Sequence, residues 1–259
     1  MLERILQDKK VDVEEAKQHL PLRELQARLR ASSKEPARDF YGALQRGKPV
    51  ALIAEIKKAS PSEGNINLDV DVQSQARAYS DGGASAISVL TDSHFKGELH
   101  DLERVKQVTA IPILRKDFIF DPYQIYESKY YGADAILLIA SILSLEKLNE
   151  LLALANDLGL GCLVEARTSE DLKKILATPA PVIGINARDL TTFQVNLDHV
   201  TALAHFVPTD RYLIAESGIE TEADVQRLVG ARVKGVLVGT ALMKAKDVGA
   251  KIKELQLIL

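Results

Sequence analysis

A short apolar run followed by an amphipathic helix recurs eight times along this 259-residue chain. The runs begin 21 to 34 residues apart, a spacing that suits one strand and one crossover helix per repeat. Each run is apolar almost throughout, which is typical of parallel strands that are buried on both faces. The eight predicted strands are 51–57, 85–90, 111–116, 135–139, 161–165, 182–186, 212–216 and 235–239.

Eight such units without a break in composition predict a single closed (β/α)8 TIM barrel, an α/β fold. The competing fold is a doubly wound sheet, which binds dinucleotides through a G-x-G-x-x-G loop after its first strand. Here the first strand is followed by KASPSEGN, which lacks that pattern. The barrel is therefore favoured, and we expect one domain over residues 1–259.

Residues 1–48 precede the first strand and are expected to form an N-terminal helical extension. Helices are predicted over 2–20 and 21–29, because both segments carry apolar residues at helical spacing. These residues are Leu2, Ile5 and Leu6, and Leu22, Leu25 and Leu29. Two roles stay open for the extension: it plugs the bottom or pads the side of the barrel, or it forms a lid near the active face.

Composition excludes several classes of protein. The formal net charge of −3 creates no strong field for nucleic acid or anionic lipid, so no such partner is expected. Cys162 is the single cysteine, so an intrachain disulfide is impossible. The longest apolar run, 135–143, is too short to cross a bilayer, and MLERILQDKK does not resemble a signal peptide. We expect a cytoplasmic protein.

Polar residues end several of the predicted strands in the phase that points into the barrel. Active sites of this fold lie at the C-terminal ends of the strands, where alternate side chains point inward. A single such charge is as often a structural salt bridge as a functional group, but burying a whole set is costly unless the charges are used. The set comprises Glu55, Lys57, Lys116, Glu165, Asn186, Arg188, Glu216 and the adjoining Ser217, with Phe118 continuing one inward face.

A phosphate site is predicted after the last two strands, where barrels of this class often bind phosphate at a short helix. Gly218, Gly239 and Thr240 offer backbone N–H groups there, and Lys57 can add a cation. The five histidines show no metal-ligand spacing, so no metal site is expected. Cys162 is out of phase with Glu165 and should face the helices.

The chain resembles the indole-3-glycerol phosphate synthase family in motifs that run in order through all eight units. The motifs are AEIKKASPS (54–62), SVLTD (88–92), LRKDFIFDPYQI (114–125), GADAILLI (132–139), LVEA (163–166), IGIN (183–186), ESGI (216–219) and GVLVGTALM (235–243). The resemblance implies a lyase of tryptophan biosynthesis. Its substrate would be 1-(2-carboxyphenylamino)-1-deoxyribulose 5-phosphate, which loses carbon dioxide and water as the indole ring closes.

The resemblance also implies residue roles. Lys116 would be the general acid, and Glu165 a proton donor or acceptor in later steps. The other catalytic positions would be Glu55, Lys57, Asn186, Glu216 and Ser217, and the substrate contacts Arg188, Phe95, Phe118, Leu137 and Ser60. No cofactor would be needed, because the aniline nitrogen supplies the electron push. Other tryptophan-pathway enzymes are candidate partners.

Three positions depart from the family pattern: Ala187 replaces an asparagine, His94 an aromatic and Glu63 a lysine. Three alternative functions remain. A phosphosugar isomerase would need a Cys–Asp or paired-Asp set, which the phase of Cys162 opposes. A class I aldolase would use Lys116 as a Schiff base. A barrel that has lost catalysis would act as a phosphate-binding scaffold.

Overall fold

The computed structural model describes residues 2–31, 36–60, 64–189 and 194–258. Eight parallel strands close into a barrel, which confirms the predicted fold class. Each strand pairs with its neighbour in sequence, and the last pairs with the first. The barrel strands are β1 (Ala51–Ile56), β2 (Ala86–Leu90), β3 (Ile113–Lys116), β4 (Ala135–Ile139), β5 (Gly161–Ala166), β6 (Val182–Asn186), β7 (Tyr212–Glu216) and β8 (Gly235–Val238).

Helices precede the barrel and alternate with its strands. They are α1 (Leu2–His19), α2 (Leu22–Ala31), α3 (Phe40–Gln45), α4 (Val72–Asp81), α5 (His100–Lys106), α6 (Pro122–Tyr130), α7 (Leu145–Asp157), α8 (Ser169–Leu176), α9 (Leu197–Ala204), α10 (Glu222–Gly230), α11 (Thr240–Met243) and α12 (Val248–Leu255). Within the described ranges, no helix is both long and apolar enough to cross a membrane.

Five of the eight strands differ from their predicted limits by one or two residues, and β4, β6 and β7 match them. β3 begins at Ile113, because Pro112 can offer its carbonyl to Ile87 but has no N–H to donate. β8 ends at Val238, because Gly239 serves as the N-terminal cap of α11. These differences at the strand ends leave the alternation of inward and outward side chains unchanged.

Two apolar cores result from that alternation. Small and branched side chains fill the barrel interior, among them Ile53, Leu114 and Leu163. Their neighbours in sequence pack between the strands and the surrounding helices. Cys162 and Ala187 both belong to this outer layer, as their phase predicts, and burial raises the pKa of the Cys162 thiol to about 12.

The N-terminal segment packs against both ends of the barrel. At the bottom, Phe40 of α3 packs where Gly161 leaves room for it, and the Tyr212 hydroxyl donates to the Leu44 carbonyl at 2.7 Å. At the top, Ile5 of α1 belongs to the cluster that fills the barrel interior. Thus α3 packs at the bottom of the barrel and α1 contacts its top; α3 is not predicted from the sequence.

Candidate active site

A cavity of about 370 Å³ lies at the C-terminal ends of the barrel strands. Its apolar lining includes Leu2, Ile5, Phe95, Phe118, Leu137 and Ile139. Its polar lining includes Glu55, Lys57, Lys116, Glu165, Arg167, Asn186, Arg188, Ser217 and Thr240. The rings of Phe95 and Phe118 lie 6.5 Å apart between centroids and are tilted by 32°. A cavity with aromatic and charged parts of this size suits a small molecule that combines both characters.

Two lysines and two carboxylates form a buried cluster in the cavity floor, which we call the inner cluster. Lys116 Nζ lies 3.1 Å from Glu55 Oε2 and 3.5 Å from Glu216 Oε2, and Lys57 Nζ lies 3.4 Å from Glu55 Oε1. Two glycines make room for these carboxylates. A Cβ atom on Gly184 would overlap Glu216 Oε1, and one on Gly239 would overlap Glu55 Oε1.

Burial and the charges of neighbouring side chains shift the pKa values of the groups in the inner cluster. Burial disfavours charged Lys116, but Glu55, Glu216 and Glu165 outweigh it and hold the Lys116 pKa above its ordinary value. Burial would also raise the pKa of Glu55, but Lys116 and Lys57 lower it below the usual range. Glu216 is the exception, because burial and the charge of Glu165 raise its pKa to about 8 against the opposing effect of Lys116. At neutral pH, Lys116 and Glu55 are therefore charged and Glu216 holds a proton.

Glu165 is paired with a residue that the sequence reading missed. Arg167 Nε and Nη2 each lie 2.8 Å from Glu165 Oε1. In the described part of the chain no ion pair joins Lys116 to Glu165, since the contacts of Lys116 are with Glu55 and Glu216. Arg167 was detectable in principle, because it follows Glu165 by two residues and shares its inward phase.

The strand ends of β6 and β7 carry the predicted orienting residues. Asn186 Oδ1 accepts a hydrogen bond from the Arg188 N–H at 2.9 Å, which fixes the start of the following loop. Ser217 has a φ of 69°, a left-handed conformation that is unusual for a residue other than glycine. Gly218 follows with a φ of 71°, and a Cβ atom there would overlap Val195. This turn brings Ser217 and Gly218 to the cavity wall.

The remaining predicted positions fall as follows. Thr240 and Gly218 line the cavity, and Gly239, the N-terminal cap of α11, lies against Glu55. His94 is bound away from the cavity, with Nδ1 2.9 Å from Asp92 Oδ1 and Nε2 3.1 Å from Asp8 Oδ2 on α1. The side chain of Ser60 and all of Glu63 lie outside the described residues.

A second group of buried charges lies behind β3, on the side that faces the helices; we call it the outer network. Arg115 pairs with Asp117 and with Glu127, both at 2.9 Å. Lys9 of α1 pairs with Asp117 at 2.9 Å and with Asp92 at 2.7 Å. These ion pairs connect α1 to the ends of β2 and β3, beside the cavity to which α1 contributes Leu2 and Ile5.

Among the residues described, no group of three or more His, Cys, Asp or Glu side chains is arranged to hold a metal ion. The polar groups of the cavity are instead acids, bases and hydrogen-bond donors. Together they can protonate a developing alkoxide, remove a proton and bind an anion.

Comparison with known proteins gives a consistent result. The family model described as indole-3-glycerol phosphate synthase matches residues 2–255. The protein of that name from Dehalococcoides mccartyi (strain CBDB1) is 47% identical, over 98% of this chain and 99% of its own. That from Acetivibrio thermocellus is 40% identical, over the whole of both chains.

Among solved structures, 3-hexulose-6-phosphate synthase from Salmonella typhimurium matches with a TM-score of 0.65 at 13% identity. The match covers 81% of this chain and 98% of that one, and at this identity it supports the barrel fold alone.

Proposed function

Because the chain belongs to the indole-3-glycerol phosphate synthase family, we propose how its own residues carry out the reaction of that enzyme. The reaction is that of a carboxy-lyase. 1-(2-Carboxyphenylamino)-1-deoxyribulose 5-phosphate gives indole-3-glycerol phosphate, carbon dioxide and water. The observation that best supports the proposal is one charged lysine, Lys116, held among three carboxylates at the floor of a cavity with an aromatic lining.

The first step is ring closure. The ring carbon that bears the carboxylate attacks the C2 carbonyl, and negative charge develops on the carbonyl oxygen. Lys116 acts as the general acid that protonates this oxygen, since it is charged and lies in the cavity. Carbon dioxide then leaves, and its bonding electrons restore the aromatic ring. Glu55 and Lys57 keep Lys116 oriented and the local charge balanced.

The second step is dehydration. The new hydroxyl takes a proton from an acidic group of the cavity and leaves as water, while the aniline nitrogen supplies the electrons that break the C–O bond. A base of the cavity then removes a proton from the former C1 carbon, which completes the indole. Glu165 serves as proton donor or acceptor here, since it lies in the same cavity and acts electrostatically on both Lys116 and Glu216. Asn186, Glu216 and Ser217 orient the substrate and the proton-carrying groups.

The substrate is held at its two ends. Its phenyl ring lies against Phe95, Phe118 and Leu137, and Ser60 and Arg188 contribute further contacts. Its phosphate is bound by the backbone N–H groups of Gly218, Gly239 and Thr240, with Lys57 as an added cation. The position of these residues after β7 and β8, beside the short helix α11, supports this arrangement.

Several broader expectations belong to the same proposal. We propose that residues 1–259 form one domain in which 1–48 is the helical extension, an arrangement supported by the contacts of α1 and α3 with the barrel. We propose a cytoplasmic enzyme that uses a small phosphorylated substrate and no nucleic acid, cofactor or metal. Other tryptophan-pathway enzymes are its candidate partners.

The direct test is turnover of the carboxyphenylamino substrate by the purified protein, followed by indole fluorescence. The chain contains no tryptophan, so the background at that wavelength is low. We expect catalytic product formation, and borohydride with substrate should trap no adduct on Lys116. Binding without turnover would favour a scaffold, and a trapped Lys116 adduct would favour an aldolase.

Glu165→Gln tests the assignment of the proton-transferring carboxylate. The glutamine still accepts a hydrogen bond from Arg167 but cannot exchange a proton, so turnover should nearly vanish. The melting temperature should stay unchanged or rise, because active sites trade stability for function. A large loss of stability together with substantial remaining activity would instead identify Glu165 as a structural partner of Arg167.

A further inference from the structure

Arg167 and Glu165 form a close ion pair at the wall of the cavity. Two nitrogens of its guanidinium, Nε and Nη2, approach the same carboxylate oxygen, Oε1, at 2.8 Å. The Arg167 side chain is 13% exposed and that of Glu165 is 2% exposed, so water screens the pair only weakly. Because both bonds end on Oε1, Arg167 does not occupy the second oxygen of Glu165.

The backbone of Arg167 is fixed on both sides. Its N–H donates to Asp171 Oδ2 at 3.1 Å, and the same carboxylate completes the cap of α8 by accepting from the Thr168 N–H. Its carbonyl oxygen lies 2.6 Å from His199 Nε2 of α9. A side chain anchored in this way holds its partner in one orientation before substrate arrives.

Charged and titratable groups approach the Glu165 region from every side of the barrel. They are Lys116 from β3, Glu216 from β7, Glu55 and Lys57 from β1, Arg188 after β6, Asp171 from α8 and His199 from α9. Lys116 is already shared between Glu55 and Glu216. Within the described residues, Arg167 is therefore the cation in direct contact with Glu165.

We propose that Arg167 is a positioning residue that holds Glu165 by one carboxylate oxygen, Oε1, and so orients its other oxygen for proton transfer. The proposal rests on the proton-transfer role proposed above for Glu165. Two neighbouring carboxyls serve different roles only when their surroundings differ. Arg167 supplies that difference, since its guanidinium lies 2.8 Å from Glu165. Glu216 has Lys116 at 3.5 Å, shared with Glu55, and neither of its oxygens accepts a well-formed hydrogen bond from a described residue.

The consequence is a defined geometry before the reaction. Glu165 also acts on its neighbour, since burial and the charge of Glu165 together raise the pKa of Glu216 to about 8. Without Arg167, Glu165 would lose both the contact that fixes its orientation and a neighbouring cation, which favours the charged form of a carboxyl group.

The test compares Arg167→Met with Arg167→Lys in steady-state kinetics from pH 5 to pH 10. Arg167→Met removes the charge and should lower kcat about 10-fold at pH 7. The acid limb of its kcat–pH profile should move to higher pH by about one unit or more, as expected when a cation in contact with a carboxylate is lost. Activity should then recover toward alkaline pH. Arg167→Lys keeps the charge and should leave the acid limb within about half a unit of its original position.

Lys174→Met is the matched control. Lys174 is also partly buried, but among the described residues its Nζ donates to main-chain carbonyls alone, those of Ala140 and Leu143, which follow β4. Its loss should leave the pH profile unchanged. If Arg167→Met does not fold, Arg167→Gln, which keeps a hydrogen-bond donor without the charge, should show the same acid-limb shift.

The outcomes separate the two proposals. A wild-type protein without turnover would overturn the proposed function itself. Normal wild-type turnover, with Arg167→Met either fully active or uniformly slower at every pH, would overturn only the positioning role of Arg167. An acid-limb shift that Arg167→Lys largely restores would support it.

Discussion

Strand β3 carries two buried groups of charges on its opposite faces, and they differ in how well each charge is bonded. Lys116 points into the cavity with the inner cluster, whereas Arg115 points toward the helices with the outer network. Arg115 donates to Asp117, to Thr91 Oγ1 and Ser128 Oγ, and to the carbonyl of Gln124, all within 3.3 Å. The oxygens of Glu216 accept no such bonds from the described residues.

This difference separates a structural site from a reactive one. Buried ions stabilise a fold only when the geometry is good and their remaining hydrogen bonds are made. The outer network meets that condition around Arg115 and ties α1 to the barrel through Lys9, with Asp92 Oδ2 bonded by its ion pair to Lys9 alone among the described residues. The inner cluster does not, since Glu55 Oε2 and both oxygens of Glu216 lack a hydrogen-bond partner among the described residues. Glu55, Lys57 and Lys116 of this cluster line the cavity.

The largest effect that this comparison predicts is on turnover. Lys116→Ala removes the general acid from the inner cluster and should lower kcat by about 10² to 10⁴ while substrate still binds. Its effect on stability should be small, because Glu55 can take up a proton when the cation is gone. Steady-state kinetics, substrate titration and melting curves provide the measurement, with the exposed Lys147→Ala as control. Near-normal turnover would remove Lys116 from the chemistry.

The outer network should show the reverse pattern. Arg115→Met leaves Asp117 and Glu127 buried without their guanidinium partner, and the free energy of unfolding should fall by about 3–5 kcal/mol. The folded fraction should keep most of its turnover at low temperature. Denaturant unfolding and kcat on the same preparation give both numbers. Lost turnover at unchanged stability would mean that Arg115 takes part in the reaction and that the two faces of β3 are not separate.

The alternation of side chains along each strand predicted which residues face the cavity, because the active site of this fold lies at the C-terminal ends of the strands. Glu55, Lys116 and Glu165 all line it as expected. Phase does not state which cation pairs with which carboxylate, since that depends on side-chain torsions and on distances across the barrel. The reading therefore placed Lys116 and Glu165 around one substrate without finding Arg167 between β5 and α8.

Two other features were beyond reach for related reasons. The six residues of α3 are too few to show a helical period, so its packing at the bottom of the barrel could not be predicted from the sequence. Lys9 reads as one charge among many on a helix with charged residues throughout. Only the packing of α1 on the barrel shows that its ammonium is buried between Asp92 and Asp117.

The smallest predicted effect is on the pH dependence of stability. It tests the comparison of the inner cluster with the outer network most directly. Glu216 has a pKa of about 8 in the folded protein against an ordinary value of 4.5, so the folded state binds its proton more tightly than the unfolded state does. Its favourable contribution is therefore complete below about pH 4.5 and is lost as the pH rises to about 8. Glu216→Gln abolishes this titration.

The variant should match wild type in stability near pH 5 and exceed it near pH 9, by roughly 1–3 kcal/mol. Urea unfolding at the two pH values measures the difference. Glu127→Gln in the outer network is the counterpart, and it should reduce stability at both pH values because Arg115 loses a charged partner. If Glu216→Gln were the less stable protein at pH 9, the inner carboxylate would stabilise the fold as the outer ones do. Incomplete bonding would then no longer distinguish the reactive face of β3 from its structural face.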